Sequence, residues 1–397
     1  MDTLLKSAKR LQEEIVSYRR FLHENAEVGF GLPLTRKFIS QKLTQMGYEP
    51  KTVGKSIVAT VGKSPEKGVI LLRADMDALP ITEKTKLPFA CEAGNMHACG
   101  HDMHAAMLLG AAKLLKEREK SLIQGVKLLF QPAEEILEGA KDAVENGVLN
   151  DPPVHMAAML HVIPQLPFHS GTPIVASAGV GAPAADYFKA EIIGKGCHGA
   201  SPQNGIDALN AAAHAVIALQ EISAREIVSN SAVLTVGKLQ AGDAGNAIAD
   251  RAVFQGTLRA FDEEIRAFMK KRLKEMIEGI SKSFRAKASV LFEGGCPALI
   301  NDKNATDFAL NALEKAFGKE GVRNAEEFKK ETGQNGGSED FAYISRETPS
   351  VMIALAAGRA EDGYKYPLHH PKAVFDEAAL CYGAAVYAAL GLAFNKQ

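Results

Sequence analysis

VILLRADMDALP, residues 69–80, decides the fold. It opens on a continuous apolar run closed by Arg73, the pattern of a strand buried on both faces. Asp75 and Asp77 follow at its C-terminal end, and Pro80 marks a turn. Similar runs surround it: IVATV (57–61), VKLLF (126–130) and MAAML (156–160). Helical stretches at 103–118 and 138–146 separate several of them. Strands alternating with helices predict an α/β sheet with helices on its faces. Upstream, Leu4, Leu5, Ala8, Leu11, Ile15, Tyr18 and Leu22 fall at helical spacing, which predicts one amphipathic helix over 2–24.

The middle of the chain changes character. Strand-like runs at 186–193, 231–239, 252–260 and 287–293 alternate with helical stretches at 205–224 and 262–282. The order is β-α-β-β-α-β, the ferredoxin-like order. Elements of the first kind resume at 304–317, 350–356 and 376–393. The expected layout is therefore an α/β domain made of 1–182 plus 295–397, with a ferredoxin-like domain inserted at 183–294.

Composition narrows the partners. The 397 residues hold 46 Lys+Arg against 47 Asp+Glu, a net charge of −1. Such a balance offers no field for nucleic acid or an anionic membrane. No run of about 18 apolar residues suits a membrane span. The N-terminal segment lacks the apolar stretch of a signal peptide. Five scattered cysteines form no disulfide framework and fit a reducing compartment, so the expected location is cytoplasmic.

The densest polar cluster is MHACGHDMHAA, 96–106, which packs His97, Cys99, His101, Asp102 and His104 together. Thiolate and imidazole are preferred ligands of borderline-soft metals. Cys99 and His101 are two apart, so an extended segment points both to one side. Asp75 and Asp77, at a strand C-terminus, stand where open α/β sheets carry their sites; alone they read as a turn signal. Glu134 and Glu135 follow VKLLF in the same way. Adjacent side chains face differently, so one can ligate metal while the other faces water and takes its proton. Alone, the pair reads as an acidic helix start. His161 follows MAAML, so three successive strands deliver Asp, Glu and His to one edge. His369 and His370 lie in the loop YPLHHP. His23, His155, His169 and His214 read as surface or hydrogen-bonded histidines.

The sequence resembles the amidohydrolase branch of the co-catalytic metallopeptidases, which includes hippurate hydrolases, auxin–amino acid conjugate hydrolases and N-acyl-amino-acid deacetylases. The matching segments run in order along nearly the whole chain: RRFLHENAEVGF (19–30), LLRADMDALPI (71–81), MHACGHDMHAA, LLFQPAEE, LHV (160–162), GKGCHGASP (194–202), GTLRAF (256–261), GSEDFAY (337–343) and PLHHP (367–371). The resemblance implies two divalent metal ions, with zinc, manganese, cobalt, nickel and iron all open. It places their ligands at Cys99, His101, Glu135, His161 and His369, with Cys99 bridging. The family pattern Leu-His-x-Pro favours His369 over His370. Glu134 matches the general base, and Asp77 the acid that orients a ligand. Asp75 occupies the place of a ligand histidine in distant peptidases. The resemblance makes 183–294 a lid through which relatives also dimerise. There His198 matches an oxyanion donor, and Asn246 and Arg259 match contacts to a small-molecule N-acyl amino acid.

Three departures fall near the substrate side: Cys197 where glycine is common, Asn-Ala-Ile-Ala at 246–249, and Gly337 before Ser338. They bear on acyl or amino-acid preference. The same ligand set would serve a dipeptidase or carboxypeptidase, and a silent metal-binding relative is a further alternative. A zinc-stapled structural domain would instead use closed four-ligand sites with short spacings.

Overall fold

A computed structural model describes residues 2–227, 232–327 and 337–394. The chain divides into two compact units. The first comprises Met1–Gly181, Ile300–Asn335 and Asp340–Gln397; the second comprises Ala182–Leu299 with Gly336–Glu339.

The first unit is built on an eight-stranded sheet. Its order is Lys51–Val53, Ser56–Gly62, Gly125–Gln131, Val69–Asp75, Val154–Ile163, Ser350–Ala356, Pro173–Val175 and Arg323–Asn324. The four central strands run parallel. Every residue of Val69–Asp75 and of Gly125–Gln131 is buried, as the unbroken apolar runs require. Parallel strands put their C-terminal ends along one edge. Asp75, Glu134 and His161 therefore come to the same side of the sheet.

Helices cover the sheet. His101–Lys116 and Ala379–Phe394 pack closely, and glycine permits it. A Cβ on Gly383 would lie 1.8 Å from Met107 Sδ, and one on Gly110 would lie 3.0 Å from Ala384 Cβ. The helix expected over 2–24 is broken. Asp2–Arg10 and Gln12–Glu24 meet at Leu11, whose N–H bonds three residues back to Ala8 O, the tighter 3₁₀ pattern. Ile15, Tyr18 and Leu22 still enter the core. None of the helices among the described residues is long and apolar enough to cross a membrane.

Beneath the 96–106 segment lies a buried charge network. Arg19 Nε donates to Asp102 at 2.9 Å, and His23 lies between Asp102 (2.9 Å) and Glu83 (3.1 Å). Burial works against the charged ring, but Asp102 and Glu83 outweigh it and lift His23 to about 9. The folded value exceeds the unfolded one, so this stabilisation is full below pH of about 6.5 and is lost as pH rises through about 9. It amounts to roughly 3 kcal/mol. Urea melts across that window should show the loss in the native protein and not in His23→Gln; equal slopes in both would overturn it.

The second unit carries a four-stranded antiparallel sheet in the order Ala232–Ala241, Arg251–Ala260, Ala184–Ile193 and Lys287–Cys296. Ala208–Ala218 and Glu263–Ser283 supply the two helices, giving the β-α-β-β-α-β sequence. Asp207 and Asp262 cap them, accepting from Asn210 N and Ile265 N. Phe188, Phe254, Leu258, Met269, Leu273 and Ile277 form part of a separate core.

Candidate metal centre

Backbone geometry aims the side chains of the first unit. Gly100 takes φ 87°, and a Cβ there would lie 2.4 Å from Val162 Cγ2, so glycine alone fits between Cys99 and His101. The turn after Gly125–Gln131 holds Ala133 at φ 60°, a left-handed conformation that costs a non-glycine residue about 1–2 kcal/mol. Asp77 secures the two residues after Ala133. Its two oxygens accept the N–H groups of Glu134 (3.0 Å) and Glu135 (3.2 Å). His369 is also left-handed, at φ 63°, and its N–H is fixed to Ala98 O.

The five expected ligands converge. Cys99 Sγ lies 3.5 Å from His161 Nε2 and 3.3 Å from His369 Nε2. His369 Nε2 is 3.5 Å from Glu135 Oε2, and His101 Nε2 is 3.9 Å from Glu135 Oε1. Among the groups of possible ligand atoms that lie within 4.8 Å of one another, two contain Cys99: Cys99, His101 and His161, and Cys99, Glu135 and His369; Glu134 falls in two others, with His101 and Glu135 and with Glu339 and Asp340. The first two share one sulfur. His101 Nδ1 donates to Asp77 O at 2.9 Å, and His161 Nδ1 donates to Val162 O at 2.8 Å. In the neutral ring that leaves each Nε2 without a proton, facing the cluster.

Two atoms test whether metal fits. His101 Nε2 and Glu135 Oε1 are buried with no hydrogen-bond partner. Buried polar atoms are rarely left so, and a cation between them accounts for both. Burial pushes the Cys99 thiol up, raises Glu135 to about 7 and lowers His161 to about 3. A bound dication favours thiolate and carboxylate, reversing the first two. Asp75, His101 and His104 also approach one another, but two of them are already engaged. Asp75 is held by Arg73 (2.6 Å) and His104 (2.5 Å), and His104 Nε2 accepts Val162 N–H. Burial opposes the Asp75 charge, yet His101, Arg73 and His104 hold it well below the usual carboxylate range.

Glu134 is buried, with Oε2 3.8 Å from His101 Nε2. It stands beside the ligand sets, oriented by Asp77. His370 is not part of the cluster; its ring stacks on Tyr366 at 4.4 Å.

His198, Asn246 and Arg259 all lie in the second unit. His198 pairs with Ala247 in a two-stranded ladder, and its Nδ1 accepts Ala200 N–H at 3.0 Å, which puts the proton of the neutral ring on Nε2. His198 and Asn246 line a cavity of about 470 Å³ together with Cys197. Arg259 stands elsewhere in that unit, donating to Ser338 Oγ.

Sequence reasoning assigned no role to Arg73, His104 or Asp340. Arg73 also donates to Gln131 Oε1 (2.9 Å) and Asp340 Oδ1 (2.8 Å), all fully buried. Two signals pointed to the first two. Arg73 shares a strand face with Asp75, and His104 shares a helix face with His101.

Two ligand sets meeting at one thiol, with a further carboxylate beside them, are the parts of a metal-dependent hydrolase. The model of peptidase family M20/M25/M40 matches residues 71–393, and the chain belongs to that family. It is 38% identical over 374 residues to an N-acetyl-L-cysteine deacetylase of Bacillus subtilis, covering 93% of this chain and 85% of the relative. A hippurate hydrolase of Campylobacter jejuni is 34% identical, over 97% of this chain and 98% of that one. A solved Bacillus subtilis structure, described as a dinuclear metal-binding peptidase from the M20 family, superposes with TM-score 0.79 and 31% identity, covering 98% of this chain and 99% of that one.

Proposed function

We infer that this protein hydrolyses the amide bond of N-acyl amino acids with two divalent metal ions. The observation that carries the reading is Glu134, held by Asp77 beside two ligand sets that share Cys99. The relatives named for deacetylating N-acetylcysteine and for cleaving hippurate support the substrate class.

Cys99, His101, Glu135, His161 and His369 hold the ions, and the donor set admits zinc, manganese, cobalt, nickel or iron. When bound, the dications polarise the scissile carbonyl and acidify water. Glu134 accepts the proton of the attacking water and returns it to the leaving nitrogen. Asp77 fixes Glu134 through its amide and keeps His101 aimed through its own carbonyl. His198 presents Nε2–H to the developing oxyanion. Arg259 takes the amino-acid carboxylate, for which a guanidinium fork is suited, and Asn246 contacts the substrate from beside His198. Ala182–Leu299 serves as lid and dimerises; its edge strands Ala232–Ala241 and Lys287–Cys296 present backbone groups to a second copy. Five free cysteines support a cytoplasmic setting.

A panel of N-acetyl amino acids, N-benzoyl amino acids and dipeptides, run with defined metals added to chelator-treated protein, tests the substrate class. N-acyl amino acids should be cleaved in preference to dipeptides. Preference for dipeptides, or no cleavage of any N-acyl compound with any metal, would overturn it.

A further inference from the structure

We propose that Arg73, Asp75 and His104 form a positioning relay that sets the orientation and tautomer of the ligand His161. The inference rests on the assignment of His161 as a metal ligand. It starts from a gap in the sheet. Strand Val69–Asp75 pairs with Val154–Ile163 only as far as Arg73 opposite Met159. The backbone of Val162 therefore has no strand partner on that side. His104, from helix His101–Lys116, takes the vacant place: its Nε2 accepts Val162 N–H at 2.8 Å.

Each remaining link follows from donor and acceptor roles. An Nε2 that accepts carries no proton, so His104 is protonated at Nδ1 and donates to Asp75 Oδ1 at 2.5 Å. Arg73 donates to the other Asp75 oxygen at 2.6 Å, so both oxygens act as acceptors. Gln131 accepts from Arg73 Nε and Asp340 from Nη2, which locks the guanidinium plane. Arg73 and His104 thus both donate to Asp75, and Val162 N–H donates to His104, so the bonded chain joins guanidinium, carboxylate, imidazole and the Val162 backbone. At its end, Val162 O accepts His161 Nδ1–H at 2.8 Å, which leaves His161 Nε2 bare and aimed 3.5 Å from Cys99 Sγ. Arg73, Asp75 and His104 are all fully buried, so no water competes for these bonds. None of the three is a catalytic residue. They act through His161.

Metal-free wild-type protein with ¹⁵N-labelled histidine gives the first test, because NMR distinguishes the two imidazole tautomers. His104 and His161 should both read as Nδ1–H; an Nε2–H reading for His104 overturns the relay without any variant. Asp75→Asn keeps the size but offers Arg73 its oxygen and His104 its amide. His104 must then move its proton to Nε2, where it faces Val162 N–H donor to donor. Cobalt(II), titrated alone and read by its visible absorption, should bind about 10–100-fold more weakly to this variant. His104→Gln keeps an acceptor near the Nε2 position, whereas His104→Asn keeps only a donor near Nδ1. The relay requires the Gln variant to bind cobalt more tightly; a packing role gives no such order. Cobalt binding at wild-type strength in both Asp75→Asn and His104→Asn overturns the proposal. If Asp75→Asn does not fold, the wild-type tautomers and the Gln–Asn comparison decide. Intact tautomers and cobalt binding without hydrolysis of N-acyl amino acids would sink the proposed function and leave the relay standing.

Discussion

Replacing Glu134 with glutamine should lower turnover of an N-acyl amino acid by about 10²–10⁴-fold while the protein keeps its metal. The separation of the two effects is the substance of the prediction. Glu134 belongs to neither of the two sets that share Cys99. Its backbone N–H, not its side chain, is what Asp77 holds, so glutamine keeps the turn at Ala133 and the position of Glu135. Glutamine also keeps the volume and cannot accept a proton. Metal content by elemental analysis, alongside kcat, reads both sides. Near-normal turnover would remove Glu134 as the base. Loss of metal with loss of turnover would make it a ligand instead.

Replacing Cys99 with alanine should empty the centre. The sulfur belongs to both ligand sets, whereas His369 belongs only to the second and His161 only to the first. Cys99→Ala should therefore weaken both ions, by more than the roughly 10–100-fold typical of outer contacts. His369→Ala should weaken one. Metal stoichiometry after dialysis against a range of free metal distinguishes the two patterns. A Cys99→Ala protein that still holds two ions per chain would show that the sulfur is not shared.

The legible parts of this molecule were those written in continuous apolar runs. Residues 57–61, 69–73, 126–130 and 156–160 all lie in strands of one sheet, and their order placed Asp75, Glu134 and His161 at a common edge. The helix Pro33–Gln45 was missed because only Thr35, Ile39 and Leu43 of it are buried, too sparse a stripe to stand out. Backbone angles were illegible where the residue was not glycine: nothing in the sequence marks Ala133 or His369 as left-handed. Arg73 read as the charged end of a strand. Its partner Asp340 lies 267 residues away, and such a pairing has no local signature. Leu11 fits the helical period, so the break there was hidden as well.

The two ligand sets differ in when they can exist. Cys99, His101 and His161 are all present once the ribosome has passed residue 161, although the sheet around them still lacks its neighbour Ser350–Ala356. Glu135 is also made by then, but His369 follows the entire second unit. A nascent chain thus owns one complete donor set and a fragment of the other. The donors of the two sets are thus completed in the order of synthesis, and a chain that stops before residue 369 lacks one donor of the second set.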